Sequence, residues 1–320
     1  MKDLLLRYAF CAATFCLFFP IFPGGAQPNA AQPNEAQGKP DKKLQAQLEQ
    51  LVAGFRGDVG IYVRHLKTGR TAMIHADSLF PTASMIKIPI TIALFDKINR
   101  GELDYHTPLV YRDSLLYPGE DILGSFQDSA VIELSKVAML MITTSDNTAS
   151  LWAQSLAGTG TVINQWLADH GFRHTRVNSR TPGREPNRTH YGWGQTTPRE
   201  MAELLVMIRE GRVINPAASE RIYRNLCHIY WDHEALSQIP PTVQAASKQG
   251  AVDESRSEVV LVNAPSGDYV FCVITNHQQD QSWQQDNEGY VLLRDVSCLL
   301  WQYFEPRSHW QPPAHNEAWQ

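Results

Sequence analysis

Strand-like runs stand at both ends of this chain and helix-length apolar patterns fill its middle, an order that few folds accommodate. Residues 41–55 put Leu44, Leu48, Leu51 and Val52 at helical spacing. Two β-rich runs follow at 59–66 and 71–74, and the turn Lys67-Thr68-Gly69 between them makes a hairpin. Residues 84–98 predict a helix, with Pro89 close enough to its start to be tolerated. More helix-length patterns cover 132–143, 147–156, 162–170 and 198–210, and Gly158-Thr159-Gly160-Thr161 reads as a turn between helices. Residues 178–197, rich in Gly, Pro, Arg and Asn, form an irregular stretch, and a loop that long in a compact domain is usually functional or disordered. Strands return at 258–262 and 269–275 around Pro265-Ser266-Gly267, and an amphipathic helix over 289–304 closes the domain. The fold class this predicts is α/β of the α+β type. An antiparallel sheet built from both chain ends packs against helices, and an all-helical lobe is inserted in the middle. The cleft between such lobes is a common place for a site.

The two ends divide the chain further. Residues 1–26 read as an export signal: Lys2 and Arg7 precede a nearly unbroken apolar run, and Gly24-Gly25-Ala26 offers small residues for cleavage. That run is short for a membrane span and is broken by Pro20 and Pro23, so no stable span is expected after cleavage. The expected location is periplasmic or secreted. Residues 27–43 carry the near-repeat Ala-Gln-Pro-Asn and almost no large apolar side chain, as a flexible linker would. Residues 44–304 suit one domain, and 305–320 read as a loosely structured tail. A net charge of −5 without any Lys/Arg block argues against nucleic-acid binding. Past the signal remain Cys227, Cys272 and Cys298, either one disulfide with a free thiol or three buried apolar side chains.

Three short motifs carry chemistry. In Ser84-Met85-Ile86-Lys87 the hydroxyl and amine are three residues apart at a helix start, so both lie on one face. A lysine whose pKa is lowered by burial or by another cation can take the proton that makes serine nucleophilic. Ser145-Asp146-Asn147 stands where two helical patterns meet, and Lys248-Gln249-Gly250 just precedes the C-terminal strands. Taken singly, these read equally well as a helix cap, a helix-start cluster and a solvated strand lysine; their order and context carry the argument. His228, His233 and Glu234 lack the H-E-x-x-H spacing of a zinc site, and no metal is expected.

Together the motifs resemble S-x-x-K, S-D-N and K-T-G of class A β-lactamases and penicillin-binding proteins, the third matching at two of its three positions. The contexts Phe80-Pro81-Thr82-Ala83-Ser84, Thr143-Thr144-Ser145-Asp146-Asn147-Thr148-Ala149 and Thr196-Thr197-Pro198 agree with this family. The resemblance implies that Ser84 is acylated, Lys87 takes its proton, and Ser145 relays a proton to the leaving nitrogen with help from Lys248. It implies that Asn147 binds the substrate's side-chain amide, and that Ser84 and Ala251, next to Gly250, supply oxyanion N–H groups. Glu185-Pro186 resembles the family's deacylating glutamate with its proline, but Arg188 and Thr189 replace the following Leu-Asn. Gln249 replaces a hydroxyl that helps bind the substrate carboxylate; Arg256 is the candidate compensating anchor. Tyr117 lies where the family often has an aromatic wall. The expectation is a cofactor-free, monomeric serine hydrolase that opens β-lactam amides of a small-molecule substrate. The alternatives are a D-alanyl-D-alanine peptidase or esterase-like relative that deacylates slowly, and a non-catalytic envelope protein.

Overall fold

Strands from both ends of the chain meet in one six-stranded sheet. The computed structural model describes residues 38–312, and these belong to a single unit. The expected export signal, the expected linker up to residue 37 and the end of the expected tail lie outside the described residues. The N-terminal part supplies Lys39–Pro40 (β1), the helix Lys42–Val52 (α1) and the hairpin Asp58–His65 (β2) with Arg70–Ile74 (β3). Asp41 caps α1 by accepting the Leu44 N–H, so ordered structure starts ahead of the expected boundary at residue 44.

The middle of the chain opens with Phe80–Pro81 (β4) and a 3-10 turn at Ala83–Ile86 that leads into Lys87–Asn99 (α2). Ser84 thus sits in a tight turn and Lys87 begins the α-helix, where a single helix from Ser84 was expected. Pro108–Val110 (β5) pairs with Val131–Glu133 (β6), followed by Leu134–Thr143 (α3), Asn147–Leu156 (α4) and Thr159–Asp169 (α5). Gly158, with φ +99°, caps α5, so that helix begins inside the stretch expected to be only a turn. The long loop is partly regular: Arg176–Val177 (β7) precedes it, and Glu185–Tyr191 (α6) and Gly194–Thr196 (β8) lie within it. Pro198–Arg209 (α7), with Thr197 as N-cap, precedes Pro216–Leu226 (α8), which the sequence reading did not identify.

The chain then returns to the sheet as Ala245–Val252 (β9), Ser255–Val262 (β10) and Tyr269–Asn276 (β11), and Glu288–Phe304 (α9) follows. Sheet order is β1-β3-β2-β11-β10-β9, with only β1 parallel to its neighbour. Both faces of the central strands are covered, which explains their near-continuous apolar runs. Val259, Leu261, Val270, Cys272 and Ile274 join the core shared with α2, α3, α4 and α7. The alternate residues Val260, Val262, Phe271 and Val273 pack under α1 and α9. Residues 305–312 are less loose than expected: Glu305 accepts the Ser266 N–H and Trp310 packs on the second core. Cys227, Cys272 and Cys298 form no disulfide, and no helix is long and apolar enough to cross a membrane, among the described residues.

Candidate active site

Two backbone positions bring the motifs together. Ala83 (φ +42°) and Ser145 (φ +61°) hold left-handed conformations that cost a non-glycine residue about 1–3 kcal/mol each. The first turns β4 into the Ser84 turn; the second turns α3 into α4 and points Ser145 at α2. The edge strand β9 closes the third side. It can approach because Gly250 has no side chain: a Cβ there would stand 2.7 Å from Thr82 O and 2.8 Å from Ser257 Oγ.

At the centre, Lys87 Nζ is fully buried and lies 3.0 Å from Ser84 Oγ. It is also 2.5 Å from Ser145 O, 3.0 Å from Ser145 Oγ and 2.9 Å from Asn147 Oδ1. Lys248 Nζ, buried as well, reaches the same Ser145 Oγ at 3.1 Å. Burial pushes the Lys87 amine down to about 7, against the pull of the Asp146 and Glu120 carboxylates. Burial, reinforced by the charge of Lys87, puts Lys248 well below the usual lysine range. Two amines that share one hydroxyl titrate as a pair. With neutral Lys87 as the base, acylation is expected to fall about tenfold for each pH unit below about 7. Stopped-flow acylation rates across pH would show that limb, and a flat profile would remove Lys87 from the role.

Asp146 is the structural hub behind these groups. Its carboxylate is fully buried, accepts the Ile122 and Leu123 N–H groups at 2.7 Å each, and caps α4 through Ala149 N. Asp146→Ala leaves those donors unpaired and is expected to destabilise the protein by about 3 kcal/mol. Thermal unfolding should move down by roughly 6–12 °C; an unchanged midpoint would contradict this assignment.

Ser84, Ser145, Asn147, Gln249, Gly250, Ala251 and Tyr117 line one cleft of about 850 Å³, and the fully buried Lys87 and Lys248 lie behind Ser84 and Ser145, to which they donate. Tyr117 packs edge-on against Trp193 at 5.2 Å between ring centres, and both line the cleft. Two expected site residues lie elsewhere. Glu185 opens α6, is exposed, accepts the Gly183 N–H at 3.2 Å and does not line the cleft, so it is not poised over Ser84. Arg256 is fully buried and also absent from the cleft wall. Its guanidinium donates to the carbonyls of Val252, Ser255 and Ser282 and lies between the rings of Trp283 and Tyr290. It clamps loops and cannot serve as the carboxylate anchor. Sequence reasoning missed Trp193, Trp231, Trp283, His190 and Glu234 in the cleft wall, since they come from distant segments with no shared spacing.

Glu234 belongs to the cleft wall, and the fully buried Glu258 lies outside the lining. Glu258 accepts Ser247 Oγ–H and Ala235 N–H, and burial raises it to about 7. Glu234 pairs with Arg294 at 2.7 Å, and burial raises it to about 8.

The comparisons agree with this geometry. A β-lactamase VEB-1 from Pseudomonas aeruginosa is 20% identical over 303 residues, covering 90% of this chain and 95% of that protein. The structure of PBP-A superposes with a TM-score of 0.75 at 27% identity, covering 84% of this chain and 98% of that one. A β-lactamase structure from Sphaerobacter thermophilus, 23% identical with a TM-score of 0.73 and covering 83% and 98% of the two chains, shares the fold. The model of the β-lactamase enzyme family matches residues 43–304, most of the chain and all three motifs, and the protein belongs to that family.

Proposed function

We propose that the protein is a serine acyl-transfer hydrolase that opens β-lactam and related acyl-amide bonds through an acyl-enzyme on Ser84 and releases the acyl group slowly. The observation that carries the reading is the position of Lys87 Nζ, buried and 3.0 Å from Ser84 Oγ. Neutral Lys87 accepts the hydroxyl proton as Oγ attacks the carbonyl carbon. Ser145 Oγ, within 3.1 Å of both amines, then passes a proton to the leaving nitrogen as the carbon–nitrogen bond breaks. The arrangement needs no cofactor. Asn147 and the Ala251 edge of β9 line the cleft that receives the acyl arm in this reading.

Slow release follows from the position of Glu185. No acidic side chain of α6 lines the cleft, so a hydrolytic water there lacks the carboxylate expected to activate it. This favours the penicillin-binding type of enzyme over a fast lactamase. The solved acyl-enzyme of a PBP-A variant with penicillin-G supports the same reading by relationship. The apolar leader alone supports action outside the cytoplasm. The test is Glu185→Gln, with adduct lifetime followed by intact mass after removal of excess penicillin. The expected result is a long-lived adduct whose lifetime the substitution leaves unchanged. A short lifetime that Glu185→Gln greatly lengthens would restore Glu185 as deacylation base.

A further inference from the structure

The leaving-group side of the cleft is built differently from an anion site. The proton donor Ser145 marks that side, because the leaving nitrogen must meet its hydroxyl. Lys248 and Gln249 stand beside Ser145 on β9. Trp231 lines the same cleft, its indole N–H donated to Thr144 O. Next along this segment, Ala235 N is bound to Glu258, the residue directly across the sheet from Gln249.

Positive charge is withheld here. Even fully protonated, Lys248 has three N–H groups, and three acceptors already hold them: Ser145 Oγ (3.1 Å), Gln249 O (3.1 Å) and Gln249 Oε1 (3.0 Å). Lys87 is saturated in the same way by Ser84, Ser145 and Asn147. The guanidinium of Arg256 is turned into backbone carbonyls behind the wall. Among the described residues no Lys or Arg side chain lines the cleft, whereas Glu234 does. Glu234 is 97% buried by its 3% exposure, and its Oε1 accepts no hydrogen bond, with His233 Nε2 3.3 Å away. A carboxylate placed in this subsite would lose its water and gain no cation, a penalty that a neutral group avoids. An uncharged amide instead finds a matched partner in the Gln249 amide, which can both donate and accept.

We propose that the substrate's leaving portion is uncharged, its carboxyl end capped as an amide, and that the enzyme discriminates against a free carboxylate there. This rests on the acyl-transfer reading of Ser84 and names the substrate class for it. Gln249 is the specificity-determining residue, because its Oε1 occupies the Lys248 donor that a carboxylate would need.

The experiment uses two penicillins that differ only at the ring carboxyl, one free and one converted to the carboxamide. Acylation rates are read by intact mass, each divided by the compound's own alkaline hydrolysis rate. The expected result is at least tenfold faster normalised acylation by the carboxamide, a ratio that shrinks in Gln249→Thr as a Lys248 donor is released. Equal rates, or faster acylation by the carboxylate, would overturn the inference while leaving acylation of Ser84 intact. A ratio unmoved by Gln249→Thr would overturn the part given to Gln249. Failure of both compounds to acylate would overturn the inference together with the reading beneath it.

Discussion

Ser84→Ala is expected to abolish covalent labelling by acyl donors, a fall of at least about 10⁴-fold in acylation. No other hydroxyl in the cleft combines a 3.0 Å approach to a buried amine with a place at the mouth of the cleft; Ser145, which also touches Lys87, is buried behind it. The fold should survive, because the Ser84 side chain is only half-buried and its hydrogen-bond partner is Lys87. Intact mass and thermal unfolding of the variant check both halves. Labelling that persists at wild-type rate would displace Ser84 as nucleophile.

Lys87→Ala carries the second large effect. Removing a positioned base lowers rate by about 10²–10⁴-fold, and the upper part of that range applies where no water or side chain substitutes for it. Among the described residues Lys248 is the other amine on Ser145 Oγ, but it is held by Ser145 and Gln249. The acylation rate should therefore drop by about 10³-fold or more, and the ascending limb near pH 7 should vanish with it. Stability gives a useful contrast. A buried lysine depressed to about 7 binds fewer protons folded than unfolded, so it opposes folding at neutral pH. Alanine removes that penalty while leaving a cavity and unpaired acceptors at Ser145 O and Asn147 Oδ1. Loss of rate without loss of the pH limb would assign the limb to another group.

Much of the fold was legible because its causes are local. The apolar runs of β10 and β11 and the helical spacing of Leu44, Leu48, Leu51 and Val52 in α1 can all be read within a few residues. The three motifs were legible for the same reason: i and i+3 on one turn fix Ser84 against Lys87, and Asp146 caps the helix that carries Asn147. What failed depended on direction. Arg256 and Ser257 are neighbours on β10 and necessarily face opposite sides; Ser257 lines the cleft and Arg256 does not. A motif without a register cannot tell them apart. Glu185 failed similarly, since Glu-Pro marks a helix start but says nothing of which way that helix faces. The ordered stretch at 39–43 was too polar to betray two backbone pairings with β3 and a capping aspartate. The cleft's tryptophans and Glu234 come from segments far apart in sequence, and only packing brings them together.

The measurement that tests the central claim most directly is peptide mapping of the wild-type protein after reaction with a penicillin or its carboxamide. The account predicts one acyl adduct, on the peptide carrying Ser84, that outlives removal of the excess compound. An adduct on any other residue, or substrate loss with no acyl-enzyme on Ser84, would contradict it.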